Sequence, residues 1–258
     1  MTAKLIGVKM FQRLEIANDA TPVPARGEIK LYGDGAALSD FSRLYADGVV
    51  SGFTTNPSLM RRAGVTDYES YARELIAMVP DMPISFEVIA DEFPEMQRQA
   101  ELIASWGPNV YIKVPITNTR GQSSQPLVKT LSRKGVKLNV TAILTLEQVA
   151  GTVEALDPKT PAVISIFAGR IADTGLDPMP IMRAAVAMAA RRPLAEVLWA
   201  STREVLNVHQ ARECGCQIIT ATSDILKKLD MAGKNLAELS LETVAMFDAD
   251  AKAAGYAL

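Results

Sequence analysis

Histidine is almost missing from this chain: His209 is the single one in 258 residues. That argues against a triad built on an imidazole base and against a His-rich metal site. Cysteine is nearly as scarce. Cys214 and Cys216 are the two thiols, and the one residue between them is too few for a thioredoxin-like or zinc-type pair. They are expected to be reduced thiols of a cytoplasmic protein. No apolar run approaches the roughly 20 residues of a membrane span. Residues 1–20 carry scattered charges instead of the apolar core of a signal peptide. An excess of one charge is lacking too: 27 basic and 29 acidic residues leave a net −2. That balance supplies no bulk attraction to nucleic acid or to an anionic membrane. No GxGxxG follows the first apolar run, which counts against an open dinucleotide-binding sheet.

What is present is a soluble globular composition, 48% hydrophobic and 22% charged, in a chain long enough for one large domain. Residues 1–28 stand apart as an N-terminal extension, an arm expected to pack on the main domain or on a neighbour, ending in a Pro-containing linker. From residue 29 to 258, short apolar runs alternate with longer amphipathic ones. Strands are expected at 29–32, 51–55, 83–89, 110–115, 136–140, 162–166, 196–200 and 217–220. Helices are expected at 37–46, 68–79, 95–106, 122–133, 146–156, 180–191, 204–214 and 223–231, with Asp67 capping the second and Pro180 opening the sixth. Leu239 to Ala254 adds one further amphipathic helix. Eight β-then-α units predict a parallel (β/α)₈ barrel of the α/β class. An open doubly wound sheet is the alternative.

The run Val110-Tyr111-Ile112-Lys113-Val114-Pro115 is the most informative. It reads as a strand buried on both faces, with regular pairing ending near Pro115. A lysine inside such a run has two readings. It sits at the strand end and reaches water with its tip, or it is buried, where desolvation favours the neutral amine, a nucleophile for carbonyls. In a (β/α)₈ barrel the chemistry lies at the C-terminal strand ends. The polar residues there are Asp34, Asn56, Glu87, Lys113, Asn139, Thr141, Ser165, Ser201 and Arg203. Positions 87, 113, 139 and 165 are each 26 apart, which predicts one height on successive strands, all facing inward. Buried polar groups cost free energy unless paired, so such a cluster suggests a site for a polyhydroxylated ligand. This shifts Lys113 to the functional reading.

The runs Thr54-Thr55-Asn56-Pro57-Ser58, Ile112-Lys113-Val114-Pro115, Asn139-Val140-Thr141, Ser165 to Arg170 and Ala200 to Arg203 resemble those of the transaldolase family, which includes fructose-6-phosphate aldolase. The resemblance implies that Lys113 forms a Schiff base with a ketose and needs neither cofactor nor metal. It implies Asp34 as acid and base at the C4 hydroxyl, and Glu87 with Thr141 holding a proton-carrying water. Asn56, Asn139 and Ser165 would bind donor hydroxyls. Arg170, Arg203 and Ser201 would clamp a sugar phosphate, with a rim ion pair to Asp173 or Glu204 as the alternative for the two arginines. In the family's aldolase branch a glutamine and a tyrosine stand where this chain has Glu87 and Phe167. The resemblance therefore implies a transferase moving a dihydroxyacetone unit, within carbohydrate metabolism. A lyase releasing dihydroxyacetone and a non-catalytic sugar-phosphate binder are the alternatives. It also implies a homo-oligomer joined through the last helix, with no nucleic-acid or membrane partner. The glycines in Gly33-Asp34-Gly35 are expected to loosen the first loop. Lys137, on the strand-five run, is a conceivable second lysine of the site, lower on the same face. His209 is expected on a solvated helix face, and Trp106 and Trp199 in packing.

Overall fold

Parallel strands buried on both faces cannot stop at an edge without exposing a row of unpaired backbone groups, and a barrel removes the edge. In the computed structural model, which describes residues 29–256, the sheet closes in sequence order. The strands are β1 Lys30–Asp34, β2 Phe53–Thr54, β3 Ile84–Glu87, β4 Val110–Pro115, β5 Leu138–Ile143, β6 Ala162–Ile166, β7 Ala195–Trp199 and β8 Ile218–Thr222. All pairings are parallel, with β8 returning to β1. The extension, residues 1–28, lies outside the described residues.

The helices outside the barrel are α1 Leu38–Ala46, α2 Pro57–Arg62, α3 Tyr68–Met78, α4 Phe93–Ala104, α5 Gln125–Arg133 and α6 Leu146–Ala155. They continue as α7 Ala168–Ala172, α8 Met179–Ala189, α9 Leu206–Glu213, α10 Ser223–Lys227 and α11 Leu236–Ala253. Asp67 caps α3 by accepting from the Ser70 N–H. Two short helices, α2 and α7, have no counterpart in the periodicity, because five or six residues are too few to show a 3.6-residue repeat. Strand five begins two residues later than expected. Val136 instead closes the loop after α5, its N–H bonding the Leu131 carbonyl. Residues 122–124 are not helical; Thr117 and Ser123 form an antiparallel bridge.

Side-chain alternation divides the strands into two populations. Ile84, Phe86, Ile112, Val114, Leu138, Val140 and Ile164 point outward and are fully buried under the helices. Tyr32, Val163, Leu198 and Ile218 point inward and fill the lower lumen as a separate apolar cluster. The inward positions above them are polar. Phe53 belongs to the outer layer, wholly buried and edge-on to Phe41 at 4.8 Å. A methyl group at Gly33 would lie 3.0 Å from the side chains of both Phe53 and Leu44. The glycine before Asp34 therefore lets β1 close on its neighbours.

Removing the Phe53 ring should leave a cavity under α1. Phe53→Ala is expected to cost about 3–5 kcal/mol, read as a lowered urea midpoint at unchanged slope.

Candidate active site

The C-terminal mouth of the barrel holds a cavity of about 740 Å³, within the range of small-molecule sites. Asp34, Asn56, Glu87, Lys113, Asn139, Thr141, Ser165, Phe167, Arg170, Ser201 and Arg203 all line it. The barrel thus brings these eleven residues together around one cavity. The equal spacing holds across three strands, where Glu87 pairs with Lys113 and Lys113 with Asn139. It fails at β6, where Asn139 pairs with Val163. Ser165 stands one side-chain layer nearer the mouth.

Lys113 is 6% exposed, so its tip does not reach out to bulk water. Its Nζ donates to the Thr55 carbonyl at 2.9 Å and lies 3.2 Å from Glu87 Oε2. The carbonyl and the carboxyl are the polar partners of this buried nitrogen. The Glu87 backbone is held from outside the barrel: the Tyr68 hydroxyl, from α3, donates to its carbonyl at 2.7 Å and accepts from its N–H at 3.0 Å.

Two hydrogen-bonded groups flank this pair. In one, the Thr54 hydroxyl donates to Asp34 Oδ1 at 2.8 Å and lies 2.6 Å from the Thr220 hydroxyl. Burial pushes the Asp34 carboxyl above its ordinary range, against the pull of Lys113 and the Thr54 hydrogen bond. In the other, Ser165 donates to Asn139 Oδ1 at 2.6 Å, and Asn139 Nδ2 donates to Ser85 Oγ at 3.1 Å. Asn56 caps α2, its Oδ1 accepting from the Leu59 N–H at 3.0 Å. The Thr141 hydroxyl is buried and has no hydrogen-bond partner among the described residues.

The β6 and β7 side carries the rim. Ser201 (φ 63°) has left-handed backbone, as does Ala142 (φ 59°) beside Thr141, where the β5–β6 register shifts. Such non-glycine strain costs of order 1–3 kcal/mol per residue and clusters at functional sites. A Cβ on Gly169 would stand 1.6 Å from the Ser201 carbonyl oxygen, so only glycine lets α7 approach β7. Arg170 lies over the Phe167 ring, 5.5 Å from its centre. Arg203 does not stand free. Its Nε donates to Asp173 Oδ1 at 3.0 Å and its NH2 to Oδ2 at 2.5 Å. This is the rim ion pair anticipated as the alternative, and it holds the Asp173 carboxyl below its ordinary range.

Thr54, Ser85 and Thr220 are not among the expected residues, although each lies on the inward face. Ser85 and Thr54 stand two before Glu87 and Asn56, so the two-residue repeat carried the signal. Tyr68 and Arg62, which also lines the cavity, depend on packing that the sequence does not display. Lys137 is removed from the site: its Nζ bonds the Pro108 carbonyl below the start of β4. His209 is exposed on α9. Cys214 and Cys216 are buried and unpaired, the first pushed up to about 11 by burial. Trp199 is fully buried, and Trp106 packs against Tyr68 and Phe86. Among the described residues no group of histidine, cysteine or carboxylate side chains is arranged to hold a metal ion, and no helix is long and apolar enough to cross a membrane.

Two variants check this geometry. Gly169→Ala must displace Ser201 and is expected to cost about 1–3 kcal/mol by overpacking, measured by denaturant unfolding. The native Asp34 carboxyl keeps its proton at a pH where the unfolded chain has released it, so its contribution to stability is lost as pH rises through that interval. Asp34→Asn should therefore melt at a higher temperature than the parent at pH 7, the gain vanishing below the ordinary aspartate range.

Comparison with known proteins agrees with this architecture. Two solved structures of KGPDC from Streptococcus mutans superpose with TM-scores of 0.53 and 0.52. They share 12% and 11% identity, cover 78% and 77% of this chain, and align over 91% and 89% of their own. At that identity they speak for the barrel alone. A "Probable transaldolase" of Dehalococcoides mccartyi is 31% identical over 203 residues, 78% of this chain and 90% of the relative. A "Probable transaldolase 2" of Listeria monocytogenes is 34% identical over 202 residues, 78% and 88% respectively. The sequence model described as Transaldolase/Fructose-6-phosphate aldolase matches residues 31–258. The chain belongs to the transaldolase/fructose-6-phosphate aldolase family.

Proposed function

We propose that this protein is a transaldolase, moving a dihydroxyacetone unit from a ketose phosphate to an aldose acceptor through a Schiff base on Lys113. The observation that carries the reading is the position of Lys113 Nζ, buried in the mouth, 3.2 Å from Glu87 and in the same cavity as Asp34. The amine adds to the ketose C2 carbonyl, and the carbinolamine loses water to give an iminium. Glu87 offsets the positive charge. Asp34 takes the C4 hydroxyl proton as the C3–C4 bond breaks, and the bond's electron pair enters the iminium to form an enamine. The aldehyde leaves. An acceptor aldehyde then bonds to C3 and recovers the proton from Asp34, and hydrolysis frees the new ketose and the amine. The orphan hydroxyl of Thr141 fits a water held with Glu87 for these proton transfers.

Asn139 and Ser165 bind donor hydroxyls with the capacity left by their mutual hydrogen bond, and Asn56 does so with its amide nitrogen. Arg170, Ser201 and Arg203 receive the phosphate, for which Arg203 must exchange Asp173 for phosphate oxygens. Phe167 brings no phenol hydroxyl near the enamine, which supports transfer over release of free dihydroxyacetone. Helix α11 supports a homo-oligomer. None of its residues is buried, and Leu241, Val244 and Phe247 are 71%, 60% and 62% exposed, an apolar face suited to a second copy of the chain.

Borohydride reduction in the presence of fructose 6-phosphate should leave a three-carbon mass on Lys113 in the wild type and none in Lys113→Ala. Absence of an adduct on folded wild-type protein would discard the reading. Without an acceptor, free dihydroxyacetone should stay at background; steady release would favour the lyase. In the cleavage direction, Thr54→Val removes a hydrogen bond that lowers the Asp34 pKa. The acid limb of its kcat/KM profile should shift to higher pH.

A further inference from the structure

Alternate residues of β3 turn their backbone polar groups to opposite neighbours. The N–H groups of Ile84 and Val88 bond the carbonyls of Asn109 and Lys113, on the β4 side. Ser85 and Glu87 therefore face β2. Ser85 is in register with Thr54, and its carbonyl accepts from the Thr55 N–H at 3.3 Å. One step further, the same ladder would join the Glu87 N–H to the Thr55 carbonyl, and the N–H of residue 57 to the Glu87 carbonyl. Residue 57 is a proline, which has no N–H, and it opens α2, so the chain leaves the sheet there. The Tyr68 hydroxyl stands in for both missing bonds. It donates to the Glu87 carbonyl at 2.7 Å and accepts from the Glu87 N–H at 3.0 Å, within the capacity of one phenol oxygen. The Thr55 carbonyl, relieved of its ladder partner, accepts from Lys113 Nζ at 2.9 Å. The Tyr68 ring is held for this task by Phe86 and Trp106, with ring centres 6.4 and 6.2 Å away.

We propose that Tyr68 is a positioning residue for the amine: by replacing the end of the β2–β3 ladder, its hydroxyl reserves the Thr55 carbonyl for Lys113. This rests on the Schiff-base reading of Lys113. A buried N–H without an acceptor is costly, so in the absence of the phenol oxygen the Glu87 N–H returns to the Thr55 carbonyl. Lys113 then loses one of its two polar partners, and Glu87, which carries the other, shifts with the strand end. The amine is still present and the cavity still admits the sugar, but the nitrogen is no longer aimed at the ketose carbonyl.

The test is rapid mixing of the intact chain with fructose 6-phosphate, a borohydride quench at successive times, and mass measurement of the Lys113 adduct. Tyr68→Phe, which keeps the ring, is expected to lower the limiting rate of adduct formation about tenfold and to change the half-saturating sugar concentration less than about twofold. Tyr71→Phe is the matched control. Its hydroxyl is buried, comes from the same helix and donates to the Ala36 carbonyl at 2.9 Å. That variant should lower the melting temperature by a similar amount and leave the rate within about twofold of the wild type. An unchanged rate in Tyr68→Phe overturns the inference and leaves the Schiff base standing, and so does equal slowing in the two variants. In the wild type the Glu87 amide should exchange with deuterium as slowly as that of Phe86; free exchange at Glu87 overturns the inference without recourse to any variant. No adduct on folded wild-type protein removes the Schiff base and the inference together.

Discussion

A polar nitrogen shut away from water needs partners, and the arrangement of this barrel's mouth follows from giving Lys113 its own. The Thr55 carbonyl and the Glu87 carboxylate supply them. Each constrains a different strand: Thr55 closes β2, and Glu87 ends β3 in direct register with Lys113. Holding the carboxylate there requires the end of β3 to be fixed, which Tyr68 does through the Glu87 backbone. The charge near Asp34 is part of the same balance, since Lys113 opposes the burial that pushes that carboxyl above its ordinary range.

The strained and close-packed points of the backbone lie in the same region. Ala142 and Ser201 are in left-handed conformations at the ends of β5 and β7, and Gly169 permits the Ser201 carbonyl to sit where any Cβ would be. The lower barrel is filled by an apolar cluster that includes Tyr32, Val163, Leu198 and Ile218. The mouth uses stability that the lower layers provide, as expected where a scaffold supports a polar site.

Much of this was legible in the sequence because the two-residue repeat of a buried strand is a strong signal. Lys113, Glu87 and Asn139 share a register because the units between them have one length, and subtraction alone revealed it. Ser165 broke the rule because the unit from β5 to β6 is two residues shorter than the two before it: Leu138 already pairs with Ala162 and Asn139 with Val163. The short helices α2 and α7 were invisible for lack of length, and with α2 went the placement of Arg62. The engagement of Arg203 by Asp173 could be named only as one of two options, since a distance of thirty residues says nothing of contact until α7 turns Asp173 toward β7.

The lumen's two hydrogen-bonded clusters, Asp34 with Thr54 and Thr220 on one side and Ser85 with Asn139 and Ser165 on the other, have no member in common. Lesions placed one in each should combine additively, whereas two within a cluster should not. A lineage could accordingly rewrite one wall of the funnel while leaving the opposite wall untouched. Divergence among barrels of this build would then proceed by halves.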